Sequence, residues 1–463
     1  MATVSAHDVI EVAGASQPAR SPARQRIAVL GGGLLGMVLA LRLSQRGFAV
    51  SLLDAAPAPG GLAGAQTIGG YEWDRFYHVV LMSDLNTRAL VDELGLSGSL
   101  RWGRTRTGFF SDGRLHSMSN TLEFLRFPPL SLIQKLRLGG TIFLASRLKD
   151  VHRLEQQLAV DWLRRWSGAR VLERIWLPLL RSKLGENYRI ASAAFIWAII
   201  ARMYAARRSG LKEEMFGYLD GGYGAVLAAL SQRLRDSGVN WLEGVAAERI
   251  NDSGDCVEVT LADGGTLSFD RLVATVPTPE MARLCPQLSP GERERLEAVQ
   301  YQGIVCGAML TRTPLSPYYV TNITDPGIAL TGIIEMTALV DRGRFGGHSL
   351  VYLPRYLAQD DPAWSDSDDA FRQRTLDTLR RMYPHFRAED VIDFKVARAR
   401  HVLAISTLDY TARAMPPMLT SLRNVSLLNS AQIAQGTLNV NETLGVVSER
   451  LDDLVRHLEA PAP

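Results

Sequence analysis

The apolar and polar positions over residues 27–46 predict a strand, a turn and a helix. Residues 27–30 are a short apolar run that predicts a buried strand. Residues 37–46 carry apolar side chains at helical spacing, and Gly47 follows them as the residue that ends the helix. Residues 48–53 are a second apolar run, which Asp54 closes. These segments together predict a βαβ unit.

Beyond this unit the pattern is first helical and then strand-like. Residues 86–215 are mostly helical in their spacing and are rich in Leu, Trp and Arg. Short apolar runs that predict strands return later in the chain, at residues 239–245, 256–261, 267–275, 304–310, 328–336, 349–353 and 425–428. Two further helices are predicted over residues 371–382 and 441–458. The Ala-Asp-Gly-Gly sequence at residues 262–265 predicts a hairpin turn between two of the strands.

Length and charge narrow the class of protein. The chain has 463 residues, of which 46% are hydrophobic and 21% charged, which is typical of a globular protein of two or three domains. Its 51 basic and 48 acidic residues nearly balance, so we expect no nucleic-acid partner. The three cysteines, Cys256, Cys285 and Cys306, form neither a C-x-x-C pair nor an even disulfide framework. We therefore expect no metal site, and a cytoplasmic location.

The sequence shows neither a secretory signal nor a membrane span. Residues 1–25 lack the continuous apolar core of a signal peptide, and they predict a disordered tail. The nearest candidate for a span, residues 193–206, is shorter than the ~18 residues that a spanning helix requires and contains Arg202. We therefore expect a soluble protein or one that associates peripherally with a membrane.

A glycine-rich turn joins the first predicted strand to the first predicted helix. Residues 31–36 read Gly-Gly-Gly-Leu-Leu-Gly and fit the pattern G-x-G-x-x-G in the strand-turn-helix context that gives this pattern its meaning. Gly31 permits the sharp turn, Gly33 removes the side chain that would block a pyrophosphate, and Gly36 lets the helix pack closely on the strand. The turn therefore predicts a dinucleotide-binding site.

The start of the helix supplies the electrostatic part of this site. Its first N–H groups, including those of Leu34 and Leu35, have no partner within the helix and carry a partial positive charge that favours phosphates. Asp54 ends the second strand about 20 residues further on, where a carboxylate accepts hydrogen bonds from a ribose. A glycine-rich turn without a ligand is the alternative, and the combination of strand, spacing, helix and acid argues against it.

The residues that follow Asp54 point to a particular family. Residues 55–59 form a short Ala- and Pro-rich loop that leads into Gly60, Gly61 and Leu62. This stretch resembles the superfamily of flavin-dependent amine oxidases, phytoene desaturases and protoporphyrinogen oxidases, in which a Gly-Gly pair approaches the flavin. The resemblance implies FAD as the cofactor, held non-covalently, with contacts from these three residues. The family more often has Glu at position 54 and Arg at position 62.

Later segments carry the same resemblance, which covers nearly all of the chain from residue 26 to residue 455. Residues 221–230 are similar to the family's second glycine turn and helix, and Val245 falls where the family's backbone contacts adenine. The flavin contacts that the resemblance implies near the C-terminus are Asn429, Ser430, Thr437 and Leu438. Here the sequence departs from the family, because Asn-Ser replaces the usual Gly-Asp. No cysteine lies near this segment, which argues against a cysteine-linked flavin.

The predicted elements and the resemblance together imply an α/β fold. We expect a Rossmann-type FAD-binding domain of the glutathione-reductase-2-like kind, with an inserted mixed α+β substrate domain that includes a helical block. The FAD-binding domain is expected from three segments, residues 26–85, 216–285 and 421–463. The substrate domain is expected from a mainly helical, membrane-facing part, residues 86–215, and from a sheet, residues 286–420.

The chemistry of such enzymes resides mostly in the flavin, so the candidate catalytic residues are few. Residues 71–78 follow the Gly-Gly loop, and in similar proteins this region runs beside the flavin ring. Arg75 would favour negative charge on the reduced flavin, and His78 would exchange a proton near neutral pH. The alternative is that the aromatic residues of this segment are core and that His78 is a core histidine.

A second polar cluster lies late in the chain and consists of Lys395, Arg398, Arg400 and His401. Some amine oxidases use a lysine near the flavin, but the placement of Lys395 does not support that role. We therefore interpret the cluster as the solvent-facing side of a strand.

Two apolar segments bear on the substrate. In residues 124–148, apolar side chains at helical spacing are interleaved with basic ones, as in a helix that lies on a membrane surface. Residues 197–204 carry Trp, Ile and Tyr side chains that would line an apolar tunnel or touch lipid. The alternative for both is an ordinary helical domain with a core face and a basic solvent face, which is the more common case.

The sequence leaves three functional hypotheses open. The first is an FAD-dependent oxidoreductase of dehydrogenase or desaturase type, acting on an apolar small molecule that is isoprenoid, porphyrinogen-like or lipid-linked. The second is a redox-neutral flavoenzyme resembling UDP-galactopyranose mutase, for which residues 181, 188, 355 and 356 (Arg, Tyr, Arg and Tyr) would bind a sugar nucleotide. The third is a non-catalytic binder that resembles the Rab GDP dissociation inhibitors, against which the intact glycines and Asp54 argue.

Overall fold

The computed structural model of the protein describes residues 24–148, 150–206, 215–434 and 436–460. The predicted disordered tail lies outside these ranges except for Arg24 and Gln25. Within them, no helix is both long enough and apolar enough to cross a membrane.

The secondary structure mixes strands and helices along the whole chain. The strands are β1 (Arg26–Leu30), β2 (Ala49–Asp54), β3 (Ala65–Ile68), β4 (Tyr71–Asp74), β5 (Val80–Leu81), β6 (Leu100–Arg104), β7 (Thr107–Ser111), β8 (Arg114–Ser117), β9 (Met215–Leu219), β10 (Asn240–Glu243), β11 (Ala247–Asp252), β12 (Val257–Leu261), β13 (Thr266–Phe269), β14 (Arg271–Ala274), β15 (Tyr301–Thr311), β16 (Val320–Ile323), β17 (Gly332–Glu335), β18 (Ser349–Leu357), β19 (Val391–Ala404) and β20 (Val425–Leu427). The α-helices are α1 (Leu34–Gln45), α2 (Leu85–Glu93), α3 (Thr121–Arg126), α4 (Leu132–Ala145), α5 (Val151–Glu155), α6 (Ala159–Ser167), α7 (Ala169–Val171), α8 (Leu177–Leu184), α9 (Ala193–Ala206), α10 (Gly222–Asp236), α11 (Thr278–Leu284), α12 (Pro290–Glu297), α13 (Asp368–Met382), α14 (Tyr410–Arg413) and α15 (Val440–Glu459).

A five-stranded parallel sheet with the order β10-β2-β1-β14-β20 forms the first layer. In its centre, Val29 of β1 lies opposite Leu52 of β2 and Val273 of β14. These side chains face one apolar cluster with α1, α10 and α15, where Met37 and Leu230 are fully buried. The predicted βαβ unit is therefore confirmed, and its sheet collects strands from well-separated parts of the chain.

A small antiparallel sheet, β11-β12-β13, covers the other face of the parallel sheet. The hairpin predicted at residues 262–265 joins β12 to β13. The single strand predicted over residues 267–275 is wrong, because the chain forms β13 in this sheet and β14 in the parallel sheet. Asp270 separates the two strands, and its carboxylate accepts a hydrogen bond from the backbone N–H of Arg26 (2.7 Å). The chain thus passes from one sheet to the other at Asp270.

The second large layer is a seven-stranded sheet with the order β19-β15-β18-β17-β16-β7-β8. All neighbouring strands in it are antiparallel except β16 and β7. All eleven residues of β15 are buried, because helices cover both faces of the sheet at this point. Met309 and Val351 pack with α13 on one face, whereas Cys306 and Tyr352 belong to a large cluster with the helical block on the other.

The prediction that residues 86–215 are mainly helical needs a correction over residues 100–117. These residues form β6, β7 and β8, and the last two extend the seven-stranded sheet. Asp112 (φ 52°) and Gly113 (φ 71°) make the turn between β7 and β8. Asp-Gly is a strong hairpin signal, so the turn could have been identified from the sequence. Helices dominate only from α3 onwards.

Glu335 ends β17 inside the seven-stranded sheet and is 1% exposed. Its carboxylate accepts hydrogen bonds from the backbone N–H of Leu315 (3.0 Å) and the hydroxyl of Thr337 (3.0 Å). These two bonds do not offset the loss of water, and burial raises the pKa of Glu335 to about 7. Folding therefore favours the protonated form of this side chain.

We expect Glu335 to make the protein less stable as the pH rises. Between the pKa of an unfolded glutamate and about 7, the folded state binds more protons than the unfolded state, so the free energy of unfolding falls with pH, by up to ~3 kcal/mol. Glu335→Gln should remove this component. Urea unfolding of both proteins at about pH 5 and about pH 8 measures it, with the exposed Glu389→Gln as the matched control. An unchanged pH dependence in Glu335→Gln would contradict the assignment.

Candidate flavin site

The glycine turn brings the end of β1 against the start of α1. Gly31 adopts a left-handed backbone conformation (φ 112°), and its N–H donates to the carbonyl of Leu53 (2.8 Å). A side chain at Gly36 would meet the carbonyl oxygen of Gly31 at 1.8 Å, so the helix packs as closely on the strand as the sequence predicts. A side chain at Gly33, in contrast, would begin in open space, with no heavy atom within 4 Å.

The loop with the Gly-Gly pair folds back onto this turn. Gly60 forms a parallel bridge with Gly33, and its N–H donates to the carbonyl of Gly32 (2.9 Å). Gly60 (φ 101°) and Gly61 (φ 54°) both need backbone conformations that glycine favours. Leu62 follows in a short helical turn and packs against the large apolar cluster of the helical block. The loop thus runs from the glycine turn to that cluster.

Asp54 and Val245 meet beside the turn. The backbone N–H of Val245 donates to the carbonyl of Asp54 (2.8 Å), which places the two predicted contacts side by side. One carboxylate oxygen of Asp54 accepts from the N–H of Ala56 (2.9 Å). The other lies close over Gly32, where a Cβ atom would be only 2.3 Å from it. This second oxygen is positioned at the turn, as a ribose contact requires.

The geometry of these residues fits a dinucleotide. Gly33 is the N-cap of α1 and provides no capping side chain, so the first N–H groups of the helix, at Leu34 and Leu35, remain for a ligand. No acidic residue lies in the first turn of α1. The open space over Gly33 therefore combines backbone donors with the positive end of a helix, which is the chemistry that a diphosphate needs.

Arg75 holds the Gly-Gly loop in place. Its guanidinium donates to the carbonyl of Gly61 (2.9 Å), and its backbone N–H donates to the carbonyl of Gly64 (2.9 Å). A side chain at Gly64 would lie 2.6 Å from the same guanidinium. The structure thus places the positively charged guanidinium of Arg75 next to the predicted flavin loop. A direct role towards the flavin stays a prediction.

His78 lies in a different environment, at the junction of β4 and α10. Its Nδ1 atom is 3.6 Å from a carboxylate oxygen of Asp74, and its ring centre is 5.1 Å from that of Tyr223. The other carboxylate oxygen of Asp74 accepts from the N–H of Tyr223 (2.7 Å) at the start of α10. An anion at this end of a helix is stabilising. His78 is only partly buried, so these contacts do not decide between the two interpretations, and proton exchange by His78 stays a prediction.

Asn429 does not present its side chain to a ligand as the resemblance implies. It is 2% exposed, donates from its amide to the carbonyl of Val276 (2.7 Å) and accepts from the N–H of Ala431 (3.0 Å). Gln432 completes a capping box with it. The side chain of Asn429 therefore joins the end of β20 to the residues after β14. The neighbouring Ser430 is only partly buried, so its side chain remains open to a ligand.

Thr437 and Leu438 lie just before α15. Thr437 lines a pocket of about 260 Å³ together with residues of α9 and the segment before α2. In this pocket Arg202 forms an ion pair with Asp84 (2.9 Å), whose pKa is raised by burial even though the arginine acts against it. Leu438 packs, like Leu62, against the large apolar cluster. The two predicted C-terminal contacts thus lie next to the helical block.

Sequence reasoning placed Tyr356 only in the sugar-nucleotide hypothesis and Tyr77 only among the aromatic residues of segment 71–78, and it did not predict that the two side chains meet at the same cluster. The hydroxyls of Tyr77 and Tyr356 are 3.3 Å apart, and burial raises the pKa of Tyr77 well above its usual value. The residues are 279 positions apart in the chain, so no local pattern could have indicated the pair. Thr275 was missed for the same reason, although its hydroxyl donates to the carbonyls at the end of β1.

The structure brings together only two of the four residues predicted to bind a sugar nucleotide, Arg181 and Tyr188. Arg181 donates to the hydroxyl of Tyr188 (3.2 Å), and Lys183 lies 4.9 Å from the ring centre of Tyr356. Arg355 instead pairs with Asp361 (3.7 Å). Arg181 and Lys183 of α8 therefore lie beside two tyrosines, Tyr188 just after α8 and Tyr356 of β18.

The late polar cluster lies on β19 and has partners of its own. Lys395 pairs with Asp393 (3.6 Å), Arg398 pairs with Asp368, and Arg400 lies over the ring of Trp364 (4.7 Å). These contacts agree with its interpretation as the outer side of a strand. Within the described residues, no group of three or more His, Cys, Asp or Glu side chains is arranged to hold a metal ion.

The comparison with known families agrees with this geometry. The model of the flavin-containing amine oxidoreductases matches residues 36–416. The chain belongs to this family. It is a flavin-dependent oxidoreductase, and its cofactor is FAD.

Two individual proteins that resemble the chain each share less than 30% of their residues with it over the aligned part. The coproporphyrinogen III oxidase of Mycobacterium leprae (strain TN) is 27% identical over 287 residues, which cover 57% of this chain and 62% of the relative. The 4,4'-diapolycopen-4-al dehydrogenase of Metabacillus indicus is 22% identical over 298 residues, which cover 57% and 58%. The chain thus spans about three fifths of the length of these curated relatives.

A solved structure shows how far the fold is shared. A protein from Exiguobacterium sp. 255-15, provisionally named a protoporphyrinogen oxidase, superimposes with a TM-score of 0.74 at 17% sequence identity. The match covers 94% of this chain and 99% of that protein. At this identity the likeness shows the fold alone.

A branched side chain at position 33 should exclude FAD and leave the fold intact. Gly33→Val would fill the open space over the turn, so we expect the affinity for FAD to fall by at least about tenfold, with an unchanged circular dichroism spectrum of the apoprotein. The visible absorbance of the purified protein measures the bound flavin. Gly291→Val is the matched control, because Gly291 is an exposed glycine that also has no atom within 4 Å of a Cβ position. Full flavin content in Gly33→Val would contradict the site.

Proposed function

We propose that the protein oxidises a small molecule with a large apolar body and acidic substituents, of which a porphyrinogen is the model. The observation that carries this proposal is one apolar cluster that joins the flavin loop to the helical block and to the seven-stranded sheet. Leu62 and Leu438 reach it from the flavin side, Tyr77 from the segment after β4, and Tyr356 from β18. All four are only partly buried, which leaves apolar surface for a substrate beside the flavin.

Cations at one edge of this cluster favour an acidic substrate over a pure hydrocarbon. Lys183 lies over the ring of Tyr356, and Arg181 lies over the ring of Tyr188 (5.1 Å). Within the described residues, neither cation lies in an ion pair. Such groups provide binding partners for carboxylates at the end of an apolar site, and a polyene would leave them unused. The names of the relatives in both the porphyrinogen and the carotenoid classes are compatible with the apolar part of the proposal.

When bound, FAD supplies the ring that accepts a hydride. The residues of the chain bind and orient the reactants. The N–H groups at the start of α1 hold the diphosphate, Asp54 holds the ribose, and Arg75 fixes the loop that carries Gly61. Because burial raises the pKa of Tyr77 well above its usual value, its hydroxyl keeps its proton, shares a hydrogen bond with the hydroxyl of Tyr356 and does not remove a proton from the substrate.

We also propose that the seven-stranded sheet and the helical block form an inserted substrate domain. The parallel sheet takes its strands from residues 26–54, 240–274 and 425–427, whereas the seven-stranded sheet takes its strands from residues 107–117 and 301–404. This interleaving supports a flavin domain built from three segments. Residues 107–117 belong with the substrate domain's sheet in this proposal.

Anaerobic reduction of the bound flavin tests the proposed substrate class. The holoprotein is mixed in turn with coproporphyrinogen III, phytoene, putrescine and UDP-galactopyranose, and loss of the visible flavin absorbance is followed. We expect the porphyrinogen to reduce the flavin. Reduction by phytoene alone would refute the acidic part of the proposal, and reduction by putrescine alone would refute all of it. Binding of UDP-galactopyranose to the reduced protein only would favour the redox-neutral alternative.

Lys183→Met tests the role of the cations at the edge. Methionine retains most of the apolar stem but not the charge, so we expect kcat/KM for coproporphyrinogen III to fall on the order of tenfold, mainly through KM. Flavin content should not change. Lys395→Met is the matched control, since Lys395 is an exposed lysine on β19. Equal kinetics in Lys183→Met and the wild-type protein would contradict this role.

A further inference from the structure

One surface of the helical block is apolar although it faces outwards. On α4, Ile133 is 72% exposed, Leu136 is 66% exposed and Phe143 is 53% exposed. The further exposed apolar side chains of the same surface, on α3, α4 and α6, are Leu122, Leu125, Leu132 and Trp166. We call this surface the α3–α4 face. Isolated exposed leucines need no explanation, but these seven exposed apolar side chains on α4 and two of the helices that contact it indicate an interaction site.

The exposed side is distinct from the side of α4 that packs in the protein. Leu138, Thr141 and Ala145 follow one another at helical spacing and are buried against α6 and α9. Lys135 lies on that inner side too, with its ammonium group bonded to the carbonyl of Leu125 (2.7 Å). The inner side of α4 therefore packs the helix against the rest of the protein, and the exposed apolar residues on its outer side are not part of that core.

A groove opens on the α3–α4 face between α4 and α6. Its volume is about 490 Å³, and its lining residues are Arg137, Gly140, Thr141, Phe143, Leu144, Arg147 and Trp166. The guanidinium of Arg147 lies 5.0 Å from the ring centre of Phe143, and that of Arg165 lies 5.5 Å from the ring centre of Trp166. Each aromatic ring thus has a cation beside it, so the groove is apolar within and positive at its rim.

The charged residues of the segment that forms most of this face, residues 124–149, are all positive. Between residues 124 and 149 the sequence has three Arg and two Lys, and it has no Asp or Glu. Within the part of the chain that the structure describes, Arg137 and Arg147 lie in no ion pair. An apolar surface with unpaired cations at its edge complements a layer that is apolar inside and negatively charged at its surface.

We propose that the α3–α4 face rests on a bilayer that contains anionic lipids. The exposed apolar side chains of α3 and α4 enter the boundary between headgroups and acyl chains, and Arg137 and Arg147 contact lipid phosphates. The groove between α4 and α6 accepts part of an acyl chain. No membrane-spanning helix is needed for this mode of binding, which stays in the plane of the interface. The proposal concerns residues other than those of the flavin site and does not depend on the substrate.

Vesicle flotation with the full-length holoprotein tests the proposal. The vesicles consist of phosphatidylcholine alone or of phosphatidylcholine with about 30% phosphatidylglycerol. We expect the wild-type protein to float with the anionic vesicles only, and to be released by salt. Ile133→Ser combined with Leu136→Ser should reduce the bound fraction by at least about tenfold, and Arg137→Gln combined with Arg147→Gln should remove the preference for the anionic lipid.

The matched control is Leu408→Ser combined with Leu419→Ser, two exposed leucines outside the face. We expect it to bind vesicles like the wild-type protein, and we expect every variant to keep its visible flavin absorbance, which reports folding. Absence of wild-type binding to anionic vesicles would overturn the proposal, and so would equal binding by the Ile133 and Leu136 variant. If that variant instead converts a dimer to a monomer and no form binds vesicles, the face is a contact between copies of the chain and the proposal is wrong.

Discussion

The close approach of three backbone segments around Gly33 is the constraint on which the site depends. The end of β1, the start of α1 and the Gly-Gly loop meet with almost no side chain between them, and Gly60 bonds directly to the backbone beside Gly33. Backbone donors and the positive end of a helix are thereby exposed at one point. Any side chain large enough to separate the segments would remove the place where we expect the diphosphate to bind.

Much of the surrounding structure serves to keep these segments in place. Arg75 bonds to the loop, and Asp74 beside it bonds to the start of α10, so β4 connects the flavin loop to a second helix of the parallel sheet. Leu62 then carries the loop to the apolar cluster shared with the helical block. The same short segment therefore holds the loop on which we place the cofactor and borders the surface where we place the substrate. This arrangement explains how distant parts of the chain form one site.

Local features of the chain were predictable and long-range ones were not. The βαβ unit, the packing at Gly36 and the position of Asp54 follow from spacing alone, because each depends on neighbours in the sequence. The bond from the amide of Asn429 to Val276, 153 positions away, could not be predicted from local spacing, and the contact of Asn429 with the flavin stays a prediction. The helical interpretation of residues 100–117 also failed, since a short buried strand and a buried helix segment have similar apolar patterns.

Hydrogen exchange of backbone amides, measured on the apoprotein before and after FAD is added, shows whether the diphosphate binds at the start of α1. We expect FAD to protect strongly the amides of residues 31–37, which include the start of α1, and those of residues 60–64. Amides of the α3–α4 face should exchange at an unchanged rate. If FAD binds tightly and leaves the exchange of residues 31–37 unaltered, the diphosphate does not lie at this helix and the account is contradicted.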